Sequence, residues 1–261
     1  MAPKRDFHIH TSLSACANPA MTLDAIVAEC ERLGLESIGI ADHLGLDQLE
    51  RNSALRRDIE ALDTPVGVHL GAEVGYAWKL KTHALTAQDK AKYGFQYAIG
   101  SHHSTYLREY DLDKIVATQH EYHLRTCEHP VMDILGHPWR FLYEEFRRRE
   151  WPWFDTMKVV PEKMTRELGQ AARETGTAVE INTTSNLCMK FNPESYFEEY
   201  VAYLAILADE GVTFSLASDA HELHELETIR LAWEVVDRLG IGDDRIWHPA
   251  DAPASAAKRP A

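Results

Sequence analysis

Residues 22–43 read TLDAIVAECERLGLESIGIADH and hold one complete unit of the fold. Leu23, Ile26, Val27, Cys30 and Leu33 recur at helical spacing, with Thr22 before them as an N-cap and Gly34 after them as a stop. The run 37–41 is continuously apolar rather than alternating, which suits a strand buried on both faces of a parallel sheet. Asp42 and His43 follow at once, so the strand ends on two side chains with chemistry.

The same unit recurs along the chain. Short strands are expected at 7–9, 37–41, 66–70, 97–100, 132–135, 177–181 and 212–216. Helical patterns at 21–33, 161–174, 196–210 and 225–239 each run into a glycine, at 34, 176, 211 and 240. The polar stretch 106–128 is expected to be helical, and 140–153, with Arg147, Arg148 and Arg149, to cross the surface. Strand, helix, glycine, strand is the signature of a βα fold. A length of 261 residues without a strong internal linker gives one domain over 1–248. The stretch 249–261, rich in Ala, Pro and Lys/Arg without periodicity, reads as a disordered tail.

Composition narrows the function. Lys and Arg number 27 against 41 Asp and Glu, a formal charge of −14. Nucleic-acid backbones and anionic membranes both call for clustered positive charge, so neither is an expected partner. No apolar run reaches the length of a membrane span, and the first residues lack an apolar leader core. Cys16, Cys30, Cys127 and Cys188 form no C-x-x-C pair and read as reduced thiols of a cytoplasmic protein.

The unusual count is 14 histidines, and their positions are organised. His8 and His10 lie at i and i+2 of the first strand, on one face. Asp42 and His43 follow the second strand, Glu73 the third, His102 and His103 the fourth, His137 the fifth, and Asp219 and His221 the seventh. In a barrel of parallel strands these ends converge on one mouth. Imidazoles and carboxylates gathered there are the ligand chemistry of Zn, Fe or Mn. His69, His83, His120, His123, His129, His224 and His248 share no phase with the strand ends and receive no role. No Gly-x-Ser-x-Gly elbow, P-loop or dinucleotide fingerprint offers another chemistry.

The series His8-x-His10, Ala41-Asp42-His43, Gly71-x-Glu73, Gly100-Ser101-x-His103, Gly136-His137-Pro138 and Ser218-Asp219-x-His221 resembles the PHP (polymerase and histidinol phosphatase) family, over 6–221. The resemblance implies a distorted, TIM-like (β/α)7 barrel that holds two to three divalent metal ions and hydrolyses phosphoesters. It assigns His8, His10 and Asp219 to a first metal, Glu73 as a bridge to a second completed by His103 and His137, and His43 and His221 to a third. Where three-metal members carry another histidine, this chain has Cys16, either a thiolate ligand or a small buried residue.

Two metals about 3.5–4 Å apart can share a water, lower its pKa and clamp a phosphoryl oxygen, so a metal-bridging hydroxide is the expected nucleophile, with Glu73 and Asp219 holding the metals. Asp42 reads as the partner of a neighbouring histidine, and Asn182 as lining the mouth. Arg140 is the expected phosphate-binding cation, with Lys79 and Lys81 behind it, and His102 a hydrogen-bond donor or leaving-group acid. The expected substrate is a small phosphomonoester, histidinol phosphate first. The alternatives are an amidohydrolase-like reaction, a nuclease, and a metal-binding module without catalysis.

Overall fold

The computed structural model describes residues 3–44 and 49–251. In chain order the elements are β1 (Arg5–Ile9), α1 (Leu23–Leu33), β2 (Ser37–Ile40), β3 (His43–Leu44), α2 (Leu49–Glu60), β4 (Gly67–Leu70), β5 (Glu73–Ala77), β6 (Thr82–His83) and α3 (Ala87–Tyr93). They continue with β7 (Ile99–Ser101), α4 (Leu112–Glu128), β8 (Ile134–Leu135), α5 (Tyr143–Arg148), α6 (Glu162–Thr175), β9 (Ala178–Asn182), α7 (Glu194–Asp209), β10 (Phe214–Ala217) and α8 (Ile229–Leu239).

Each of the seven expected strands is present, and α1 begins and ends as its sequence requires. The Thr22 side chain accepts from the Ala25 N–H, and Gly34 closes the helix in the left-handed conformation. Parallel pairing runs β1–β2–β4 in one sheet and β3–β5–β7–β8–β9–β10 in another. β3 prolongs β2, and β5 prolongs β4, so the two sheets share staves. The Asp219 N–H donates to the His8 carbonyl at 2.8 Å, and the His10 N–H to the Ala220 carbonyl at 3.1 Å. Asp6, fully buried, accepts from the Ser218 N–H on the same seam. These bonds join the first stave to the last, and the seven make a distorted α/β barrel within a single domain.

Phe7, Ala41, Tyr97, Ile99, Ile134, Ala178 and Trp247 pack into one core cluster. Tyr97 donates to the Phe7 carbonyl, and a Cβ at Gly39 or Gly71 would collide with its ring. Gly39 within β2 and Gly71 just after β4 are therefore packing requirements rather than turns. Two larger clusters seat the helices against the strands.

Three expectations change. The helix predicted over 106–128 starts only at Leu112, capped by Asp111. The stretch 140–153 is more than surface, because Phe141, Glu145 and Phe146 are buried, while the three arginines remain exposed. Residues 249–251 form a 3-10 turn, and the rest of the expected tail lies outside the described residues. Among the described residues no helix is long and apolar enough to cross a membrane.

Candidate metal centre

The carboxyl ends of the staves meet at Glu73, the first residue of β5, which is buried. Its Oε1 lies 3.0 Å from His137 Nε2 and 3.1 Å from His103 Nε2. Its Oε2 lies 2.6 Å from His43 Nδ1 and 3.5 Å from both His8 Nε2 and His10 Nε2. Asp219 Oδ1 approaches His10 Nε2 at 3.1 Å and His8 Nε2 at 3.5 Å. Three groups bring their donor atoms within 4.8 Å of one another: His8, His10 and Asp219; His43, Glu73 and His103; His10, His43 and His221.

This donor set fits divalent cations. His8 Nε2 and His10 Nε2 face each other at 3.1 Å, an approach in which at least one nitrogen presents a lone pair to the other or to a shared cation. Glu73 Oε2 is buried and receives no hydrogen bond among the described residues. A buried carboxylate oxygen ringed by imidazole nitrogens is costly alone and favourable around a metal.

The polar neighbours aim these nitrogens inward. His8 Nδ1 donates to Glu180 Oε1 at 2.8 Å, which turns Nε2 toward Asp219 and the centre. The same Glu180 accepts the His137 N–H through Oε2 at 2.8 Å and the Asn182 amide at 3.0 Å. His10 Nδ1 meets the Ser14 hydroxyl at 3.1 Å, and that hydroxyl donates to Asp42 Oδ1 at 2.7 Å. Asp42 also takes both the N–H and the hydroxyl of Thr11, so it orients rather than ligates. His221 Nδ1 donates to the Asp219 carbonyl at 2.9 Å, and Ser185 donates to Asp219 Oδ2. His137 and Asp219 hold positive φ, at 23° and 57°. Non-glycine residues rarely adopt such angles, and here the surrounding bonds impose them.

The charges are strongly coupled. Burial opposes ionisation of Glu73, yet His43, His103 and His8 outweigh it and hold its carboxyl well below the usual range. Burial likewise opposes charge on His43, and Glu73 prevails, raising it to about 10. His10 is pushed down to about 3 by burial. Cys16 lines the cavity beside His43 and His221, and its thiol falls to about 6 because their hydrogen bonds overcome burial.

The mouth opens into a cavity of about 840 Å³. Arg140 reaches it, and its buried Nε and Nη1 have no hydrogen-bond partner among the described residues. Lys79 and Lys81 are exposed and do not line it, whereas Lys190, which the sequence did not single out, does. His102 departs from expectation. It is buried away from the cavity, its Nε2 2.8 Å from the Thr126 hydroxyl and its ring beside Tyr76, Tyr122 and His123. That position removes it as a leaving-group acid. Asn182 sits beneath the mouth, capping the π-helical turn Thr183–Leu187. Ser14, Glu180 and Ser185 went unassigned in the sequence, since a hydroxyl or carboxylate acting through another side chain carries no spacing signal. The Glu180-x-Asn182 run at the end of β9 was the available hint.

The model of the PHP domain family matches residues 6–184. No curated protein matches the chain by sequence. Among solved structures, the chain is similar to histidinol phosphate phosphatase from Lactococcus lactis subsp. lactis Il1403, complexed with zinc, L-histidinol and phosphate. That likeness has a TM-score of 0.62 at 17% identity and covers 93% of this chain and 95% of the other. It is also similar to a protein of Listeria monocytogenes described as a candidate histidinol phosphatase, with a TM-score of 0.63 at 14% identity over 85% of this chain and 97% of the other.

Proposed function

The chain belongs to the PHP domain family, and we propose that it is a metal-dependent phosphatase whose substrate is a small phosphomonoester, histidinol phosphate first among named candidates. The observation that carries this reading is Glu73, both of whose carboxylate oxygens are met by imidazole nitrogens from different staves. A shared carboxylate of this kind would be a ligand common to two cations. We assign His8, His10 and Asp219 to one position, Glu73 with His103 and His137 to the next, and His43 and His221 with Cys16 to a third. Zn, Fe and Mn all suit this donor set. Divalent metals bound there supply Lewis acidity and a nucleophile available at neutral pH.

The chain's own residues do the rest. Arg140 lines the cavity and brings a guanidinium to it, the cation that would meet a phosphate dianion. Lys190 adds a second cation at the rim. Glu180 and Ser14 keep His8 and His10 in the tautomers that present Nε2. The likeness in fold to the lactococcal enzyme, with histidinol and phosphate bound, supports this substrate class without selecting this chain's own substrate.

The test is metal content of the purified protein together with phosphate release from a panel of phosphorylated metabolites that includes histidinol phosphate. We expect at least two divalent ions per chain and turnover of one or more monoesters with added Mn or Zn. Metal near zero, or no monoester turned over by the metal-loaded protein, overturns the reading.

A further inference from the structure

Beyond the cations, the cavity divides into committed polar groups and an uncommitted apolar wall. Thr184 donates to the Ser218 carbonyl, and Ser185 to Asp219. Thr228 donates to the Glu225 carbonyl and shares a second contact with Thr183. The Glu225 carboxylate accepts the N–H groups of His221 and Glu222 through Oε2. Each of these side chains lines the cavity or braces one that does, and each already has a protein partner.

The wall is formed by Leu142, Met189 and Phe191. Leu142 is 42% exposed and Phe191 52%, although both are large apolar side chains at the mouth of a deep pocket. Phe191 is also held in place. Its ring lies parallel to that of Tyr143, with centroids 3.8 Å apart, and Tyr143 packs edge-on against Trp153. A preorganised flat ring flanked by aliphatic side chains, with the Lys190 ammonium beside it, favours a flat apolar group carried on an anion.

Resting on the phosphoesterase reading, we infer that this wall binds the leaving group of the substrate, and that phosphomonoesters of uncharged aromatic alcohols, such as benzyl phosphate, are substrates of the same site. The wall recognises the shape of a ring, with Arg140 taking the phosphate. Hydrolysis transfers the phosphoryl group to water, breaks the bond between phosphorus and the ester oxygen, and releases benzyl alcohol and inorganic phosphate.

The test compares kcat/KM for benzyl phosphate and glycerol 2-phosphate in the metal-loaded full chain and in Phe191→Ala. We expect the ratio to favour benzyl phosphate by about tenfold or more, the scale expected for one buried ring face, and to fall about tenfold in the variant. A ratio near one in the parent, or one unchanged by the substitution, overturns the inference. Competition between benzylphosphonate and methylphosphonate for the metal-loaded protein separates the two readings. If no monoester is hydrolysed yet benzylphosphonate binds about tenfold tighter in a Phe191-dependent way, the wall stands and the phosphoesterase reading falls. If monoesters are hydrolysed and both phosphonates bind alike, the reverse holds.

Discussion

Two groups of histidines lie side by side in this barrel and differ in what surrounds them. At the mouth, His8, His10, His43, His103, His137 and His221 surround Glu73 and Asp219. Nearby, His83, His102 and His123 are buried among Tyr76, Tyr122, Thr126 and Trp139, with no carboxylate in contact among the described residues. Both groups are largely removed from water. The first converges on negative charge and oriented lone pairs, which is an environment for cations. The second shares one threonine hydroxyl, reached by His83 Nε2 at 2.9 Å and His102 Nε2 at 2.8 Å, and burial lowers the pKa of all three rings. Histidine content alone therefore does not mark a metal site; the carboxylates do.

The most severe way to break this contrast is Glu73→Gln. It keeps the shape, removes the shared charge, and should lower activity by more than about 100-fold, beyond the effect of losing a supporting group, with metal lost from the protein. Metal analysis and circular dichroism on the same sample check it, and full metal content in a folded variant would refute the assignment. Glu180→Gln should lower metal affinity about 10-fold or more by loosening His8 and His137, as read by competition with a chelator.

Acid acts on the second group through stability. His83 and His123 are held down to about 3 by burial, against 6.5 for a free imidazole. Below pH 6.5 the unfolded chain takes up protons that the folded chain refuses, so stability falls with pH until about 3 and is flat above 6.5. Each contributes about 1.4 kcal/mol per pH unit. Denaturant midpoints measured from pH 7 to 5 should fall, and His123→Phe should flatten the slope. Thr126→Val leaves two buried imidazole nitrogens unpaired and should cost about 2 kcal/mol, with metal content unchanged. Any loss of metal in that variant would erase the distinction between the groups. The smallest effect is expected from Cys16→Ser, which should reduce only the third metal's occupancy, measured as stoichiometry.

Much of this was legible in sequence. Six of the seven strands fall where largely apolar runs end on His, Asp or Glu, because a parallel strand buried on both faces must be apolar until it reaches the mouth. The Thr22 cap and the glycine stops at 34, 176 and 240 are local backbone chemistry and needed nothing else. The short helix α3, although it has a Thr86 cap and a Gly94 stop, spans too few residues to show an apolar period. The β5–β6 hairpin and the π-helical turn had no comparable pattern. Nor did the burial of Phe146, which depends on contacts with Trp151 and Trp153.

By itself, the sequence determined the βα repeat and the phase that carries ligand-type residues to one end, since both follow from side-chain periodicity within single elements. The tertiary structure placed His102 and His103, of which the Gly100-Ser101-x-His103 spacing had already singled out the second as the ligand, in opposite surroundings. It alone brought Glu180 to His8 across 172 positions and turned His137 and Asp219 through positive φ toward the centre. Past the end of a strand, periodicity no longer fixes where a side chain points. The direction is then set by hydrogen bonds to partners distant in sequence.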